Sequence, residues 1–140
     1  MGRIDVLPDD QIEALLRTAV VARIACCDHS AAGGRPYLVP LAYAYDGDAL
    51  YAHSGPGRKL AIMRSQPLVT IEVDQVEAAD RWRSVVAEGT FEEVREPAAA
   101  GRAIRLLYPA PAPIPELGLE TVVFRIKLTA KSGRYEVPEP

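Results

Sequence analysis

Pro36-Tyr-Leu-Val-Pro-Leu-Ala-Tyr-Ala-Tyr-Asp-Gly-Asp-Ala-Leu-Tyr-Ala-His-Ser-Gly-Pro-Gly-Arg-Lys-Leu60 is the stretch on which the fold turns. Its first half alternates. Tyr37, Val39, Leu41, Tyr43 and Tyr45 fall on one face of a strand, and Pro36, Leu38, Pro40, Ala42 and Ala44 fall on the other. Asp46-Gly47-Asp48 is hairpin chemistry and leads into a second strand, Ala49–Ser54. Gly55-Pro56-Gly57 then makes a tight turn, and a helix opens with Arg58 and Lys59 in its first turn.

Two features of this stretch carry chemistry. Proline has no N–H for a ladder, so Pro40 marks either a plain edge strand or a bulge whose backbone groups are left for a ligand. The glycine turn before Arg58 and Lys59 reads either as a solvated polar turn or as a phosphate cradle. Unpaired N–H groups at a helix start, the helix dipole, a guanidinium fork and an ammonium all favour an anion.

Outward from there, residues 8–19 have the spacing of an amphipathic helix, with Ile12, Leu15, Leu16 and Ala19 on one stripe. Val20–Cys27 reads as a strand and Asp28–Arg35 as a turn. Arg58–Ser65 is a short helix that ends before Pro67. Leu68–Asp74 is a strand with Val69, Ile71 and Val73 on one face, followed by an acidic loop, Gln75–Asp80. Arg81–Val94 is a long strand in which Gly89 marks a bulge or bend, and Trp82 and Ser84 share a face. Pro97 opens a helix through Tyr108 with Ala100, Ile104, Leu107 and Tyr108 inward. Pro109–Pro115 is an extended connector, Thr121–Leu128 is a last strand, and a polar tail follows. Five or six strands with short helices predict a mainly β fold, an antiparallel barrel with helices packed on it, in a single domain over 1–140.

Composition narrows the function. With 49% hydrophobic and 25% charged residues and a formal net charge of -3, the chain lacks the basic stripe of a nucleic-acid binder. No apolar run is long enough to span a bilayer. Asp5, Asp9 and Asp10 stand where a signal peptide would be apolar, which points to the cytoplasm. Cys26 and Cys27 are neighbours on a strand. They face opposite ways, do not have zinc-site spacing, and read as buried small hydrophobes. Two histidines exclude a histidine-rich metal site, so no metal is expected. His29 lies in a turn and reads as solvated. Glu92 and Glu93 face opposite ways on a strand and form no acid–base couple. There is no Walker loop, no G-x-G-x-x-G, no G-x-S-x-G and no H-E-x-x-H. Hydrolytic machinery is missing, and the remaining route to chemistry is a bound cofactor.

The segments "GRPYLVPLAYAYDGDALYAHSGPGRKLAIMRSQPLVTIEVD" and "WRSVVAEGTFEEV" resemble the pyridoxamine 5′-phosphate oxidase-like, FMN-binding split-barrel proteins, and within them the nitroimidazole-resistance (Nim-type) branch. The resemblance covers about residues 8–95 well and the final strand weakly. It implies an antiparallel split β-barrel that binds FMN as a homodimer, with cofactors at the subunit interface. By that resemblance Val39, Pro40 and Leu41 lie along the isoalloxazine ring, and His53 and Ser54 sit beside the ribityl chain or ring. Arg58 and Lys59 hold the 5′-phosphate, and Trp82 and Ser84 line the site further round. His53 is either a catalytic residue that protonates or orients the substrate or a wall of the flavin site. The tyrosine-rich face Tyr37–Tyr45 offers apolar area for a partner chain to bury.

The last strand, "VVFRIKL", and the tail, "KSGRYEV", depart from the vitamin-converting members, which argues against pyridoxamine phosphate as substrate. Gly57 stands where some relatives have a phosphate-binding serine. The expectation is an FMN-dependent oxidoreductase acting on a small planar substrate, with a nitroaromatic as the branch-level guess. The alternatives are the same fold with haem or a deazaflavin, and a non-catalytic flavin-binding module.

Overall fold

In the computed structural model, residues 2–140 are described. Eight strands and three helices follow in the order β1 (Gly2–Val6), α1 (Asp9–Thr18), β2 (Val21–Asp28), β3 (Arg35–Ala42), β4 (Ala44–Tyr45), β5 (Ala49–Ser54), α2 (Arg58–Ser65), β6 (Leu68–Ala78), β7 (Arg81–Glu93), α3 (Pro97–Leu107) and β8 (Val122–Pro138). All strand pairs are antiparallel, in the order β3-β2-β6-β7-β8-β5-β4. The two ends of that path, β3 and β4, are consecutive in sequence with only Tyr43 between them. The alternating stretch of the sequence thus crosses from one end of the sheet to the other and closes it into a split barrel.

Strand alternation decides what the barrel holds. Ala22, Ile24, Val69, Ile71, Val73, Val85, Ala87, Phe124 and Ile126 point inward and are buried. Each fully buried aliphatic of this kind contributes about 1.5–3 kcal/mol. Helix α1 adds Ile12, Leu15 and Leu16 to the core. Two tyrosines tie it down. Tyr43 donates its hydroxyl to the Leu16 carbonyl at 2.7 Å, and its phenol is pushed up to about 12 by burial. Tyr45 donates to Glu13 Oε1 at 2.8 Å, and Lys131 donates to the other Glu13 oxygen at 2.9 Å. Gly89 sits at a register shift in β7. A Cβ there would lie 2.6 Å from Ile126 Cγ2 and 2.7 Å from the Lys127 carbonyl oxygen, so the expected bulge is also a close packing point.

Several sequence expectations need correction. Among the described residues there are eight strands where five or six were expected: β1 is made by its pairing with β8, and the single strand expected over Pro36–Tyr45 is two, β3 and β4, parted at Tyr43. Gln75–Asp80 is no loop for most of its length. β6 continues to Ala78, exposed from Gln75 to Ala78 but paired with β7. The polar tail is the second half of β8, with β7 on one side and β1 on the other. Gly133 is pressed there against Leu7, where an added Cβ would come within 2.8 Å of Leu7 Cβ. The face Tyr37–Tyr45 has no large surplus for a partner, since Leu41, Tyr43 and Tyr45 are already buried within the chain. Cys26 is buried as expected, but Cys27 on the opposite face is only half-buried; both thiols are free.

Candidate functional site

The expected site residues fall into three groups. The first gathers around the start of α2. Gly57 precedes the helix with no side-chain cap, and a Cβ added at Gly55 or Gly57 would meet nothing within 4 Å. The space above the turn is open. Arg58 reaches back to β3 and to the end of β2. Its guanidinium lies 4.5 Å from the Tyr37 ring centroid and donates to Asp28 Oδ2 at 3.3 Å. Asp28 also accepts from the Ser30 hydroxyl at 2.6 Å and the Ser30 N–H at 3.0 Å. Those two bonds, followed by Arg58, hold its carboxyl below the usual range.

Lys59 is different. It is partly buried, burial pushes its ammonium down, and among the described residues it has no carboxylate partner. A desolvated cation without a counter-ion is costly, and an anion bound there would offset that cost. Pro40 is three residues beyond Tyr37 on β3, roughly 10 Å along the strand at about 3.3 Å per residue. β3 is an edge strand, one of the two readings that Pro40 left open, and among the described residues it pairs only with β2. Its other edge leaves backbone N–H and C=O groups free. Of the three expected ring-side residues, Pro40 faces outward and is exposed, while Leu41 is buried and Val39 packs against the core. Of the three, only Pro40 turns a backbone group, its carbonyl, to the open edge, because Val39 and Leu41 alternate with it in bonding to β2.

The second group is His53 and Ser54 at the end of β5. Ser54 donates to the Gly55 carbonyl at 2.9 Å. His53 faces α3, with its Nε2 2.8 Å from the Tyr108 hydroxyl and the two rings tilted by 34° at 5.9 Å. The structure places this histidine under α3, and no hydrogen bond joins it to Arg58, Lys59 or β3 among the described residues.

The third group lies on the outer face of the sheet. Trp82 donates its indole N–H to Glu136 Oε1 at 3.0 Å, and Ser84 donates to Glu72 Oε2 at 3.0 Å. Arg23 stands between them and β3. It is paired in register with both Pro40 and Glu72, and its Nη1 lies 3.1 Å from Asp74 and 3.5 Å from Glu72. Pro40 and Ser84 are therefore three strands apart, roughly 14 Å at about 4.8 Å per strand. One chain does not bring them together.

Around this polar row the outer face is apolar. Leu38 and Leu68 are each 66% exposed, and Val76, Val86 and Val21 are also open. A groove of about 430 Å³ runs over Ala25, Cys27, Pro36, Leu68, Thr70 and Glu88. Cys27 also lines the concavity of Asp28 and Arg58, so the groove abuts the first group.

Sequence reasoning missed Asp28, Tyr37, Arg23, Glu72, Tyr108 and Glu136. Asp28 had a local signal in Asp28-His29-Ser30, an aspartate positioned to accept from a residue two ahead. The others depend on which strands are neighbours.

Comparison with known proteins gives concordant results. The family model described as pyridoxamine 5′-phosphate oxidase matches residues 8–135. An uncharacterised protein of Rhizobium meliloti (strain 1021) is 34% identical over 96 residues, which are 69% of this chain and 60% of the relative. The matched stretch thus spans less than two thirds of that longer protein. A structure described as a FAD-binding protein from Mesorhizobium loti superposes with a TM-score of 0.77 at 32% identity, covering 94% of this chain and 97% of the other. A candidate 5-nitroimidazole antibiotic resistance protein from Bacteroides thetaiotaomicron VPI-5482 has a TM-score of 0.79 at 20% identity, over 96% and 89% of the two chains. The match over nearly the whole barrel, together with the proline-opened edge strand and the Arg58–Lys59 turn, gives one conclusion: the chain belongs to the pyridoxamine 5′-phosphate oxidase family.

Proposed function

We propose that the protein is a flavin-dependent oxidoreductase that binds FMN between the α2 turn and the edge of β3. The observation that carries this reading is Lys59, a partly buried cation beside Arg58 at an uncapped helix start, with no counter-ion among the described residues. A terminal phosphate supplies what that position lacks: negative charge and acceptors for the helix N–H groups, the ammonium and the Arg58 fork. The free edge of β3 offers backbone donors and acceptors to the rim of a planar ring, and Pro40 keeps a stretch of that edge from donating. When bound, the flavin supplies hydride or electron transfer, and the chain's own part is to hold, orient and shield it.

Two copies complete the site in this reading. The exposed Leu38, Leu68, Val76 and Val86 share the outer face with Ser84 and Trp82, which supports a homodimer packed on that face. Ser84 and Trp82 then reach the flavin held by the other copy. His53 is assigned to protonating or orienting the substrate. Tyr108 occupies its Nε2, so Nδ1 is the nitrogen left for exchange. The substrate class is small and planar, with a nitroaromatic as the first to try. FAD is the second reading, favoured by the description of the Mesorhizobium loti protein at 32% identity.

The test is the visible spectrum of freshly purified protein, followed by chromatography of the released cofactor. A two-band flavin spectrum with released FMN supports the proposal, and released FAD supports the second reading. A haem band, a deazaflavin band, or a colourless protein that ignores added flavin rejects it. Turnover of reduced nicotinamide with a nitroaromatic acceptor separates an enzyme from a flavin-storing module. His53→Gln separates its two roles: loss of turnover at unchanged FMN affinity marks a catalytic histidine, and equal loss of both marks a wall.

A further inference from the structure

The inner face of the sheet does not stay apolar to its end. Val73 on β6, Val85 on β7 and Gly133 on β8 are register partners, and Leu7 closes on Gly133 as the last layer of the core. Two residues further out on the same face stand Gln75, Arg83 and Tyr135, again register partners, and Tyr135 pairs in turn with Asp5 on β1. This polar layer opens into a cavity of about 370 Å³ beside the start of α1, walled also by Leu7, Pro8, Gln11 and Val137. Small-molecule sites begin at roughly 300 Å³.

The charges around the cavity are matched, with one exception. Arg81 lies 3.8 Å from Glu77, Glu136 accepts from the Trp82 indole and the Gly2 N–H, and Asp5 accepts from the Val6 N–H at 2.7 Å. Arg83 has no ion pair and no side-chain hydrogen bond among the described residues. Asp5 stands two strands from it, roughly 10 Å at about 4.8 Å per strand. A guanidinium presents a planar fork that fits a carboxylate, and the Gln11 and Gln75 amides have hydrogens to give beside it. Tyr135 is half-buried against the core, so its ring is a fixed apolar wall, continued by Leu7 and Val137.

We propose that this cavity is a second binding site, for a small aromatic carboxylate, with the anion on Arg83 and the ring against Tyr135, Leu7 and Val137. It lies on the opposite face of β6 and β7 from Glu72 and Ser84 and includes no residue of the α2 turn, so it does not depend on the flavin reading.

Trp82, the chain's one tryptophan, borders the cavity, and its emission reports occupancy. The protein as purified is titrated with benzoate, with benzamide, which keeps the ring without the charge, and with acetate, which keeps the charge without the ring. Benzoate gives a saturable change, and the other two bind at least about tenfold more weakly. Arg83 is exposed, so Arg83→Gln keeps the wild-type melting temperature while benzoate affinity falls at least about tenfold. Gln75→Glu lowers it as well, because it supplies the missing carboxylate from the neighbouring strand. Replacing Arg58 and Lys59 together with Ala leaves benzoate affinity within about threefold of wild type. No saturable change, equal affinity for benzoate and benzamide, or full affinity in Arg83→Gln overturns the site and leaves the flavin reading standing. Loss of benzoate binding in the Arg58 and Lys59 double variant also overturns it, since the anion then sits at the α2 turn.

Discussion

The two faces of one sheet are built to different rules. Inside the barrel, side chains such as Ile24, Ile71, Val73 and Val85 are at most 1% exposed, and the buried tyrosine hydroxyl of Tyr43 has its partner. Outside, leucines stand in the open beside an arginine, two carboxylates and a serine. Because neighbouring residues in a strand face opposite ways, stability and ligand chemistry are interleaved residue by residue. Ile71 belongs to the barrel, and Glu72 beside it belongs to the outer row. A strand of this fold can therefore change what it binds without changing what it packs, provided that its period of two is kept.

The contrast is sharpened first by the largest expected effect. Ile71→Ala leaves a cavity in a core site that is 1% exposed and should destabilise by about 2–5 kcal/mol, read as a lowered denaturation midpoint. Glu72→Gln, one residue along, should shift that midpoint by less than about 1 kcal/mol. Comparable losses at the two positions would break the division between faces. Next in size, replacing Arg58 and Lys59 together with Ala should weaken FMN binding by at least about tenfold, through loss of charge-assisted phosphate bonds. Its circular dichroism and melting should stay close to wild type, since Arg58 is exposed and Lys59 has no ion pair to lose among the described residues.

A smaller change of opposite sign is expected at Asp28. This carboxylate holds Arg58 and adds negative charge beside the proposed phosphate. Asp28→Asn should tighten FMN binding by roughly threefold, by freeing the guanidinium and removing a like charge. Weaker binding would mean that Asp28 serves to aim Arg58. The smallest effect concerns the lashing of α1. Burial raises the Glu13 carboxyl, but the bonds from Lys131 and Tyr45 outweigh it and leave the pKa below its ordinary value of 4.5. A depressed carboxyl stabilises the fold above that value, and the contribution disappears as pH falls through the folded-state pKa. Thermal melts taken downward from pH 5 should fall more steeply for wild type than for Glu13→Gln. Parallel curves would remove Glu13 from the acid sensitivity.

What was legible in the sequence follows the same division. The inner face announces itself, because burial demands apolar side chains at every second position; Leu68–Asp74 and Thr121–Leu128 could be read as strands from that alone, whereas the same alternation over Pro36–Tyr45 hid the break at Tyr43 between β3 and β4. Pro40 allowed an edge or a bulge and Gly89 a bulge or a bend, and the structure has an edge at the first and a register shift at the second. The strands that escaped, Gly2–Val6, the outer end of β6 and the last half of β8, are held by backbone pairing with neighbours far away in sequence. Their side chains carry little trace of it. The site divides similarly. Arg58 and Lys59 could be proposed from the sequence because turn, helix start and cations are contiguous. The Arg23–Glu72–Ser84 row was not, because it joins three strands whose adjacency is fixed only by the folded register. Tyr108 became a partner of His53 for the same reason, 55 residues apart in the chain.

The central claim is that Lys59, which has no ion-pair partner among the described residues, and the neighbouring Arg58 form the anchor for a flavin's terminal phosphate. Parallel titration of the wild-type protein with FMN and with riboflavin, which lacks that phosphate, tests it most directly. The account predicts one-to-one binding of FMN and an affinity for riboflavin lower by at least about tenfold. Equal affinity for the two, or no binding of FMN, would contradict it.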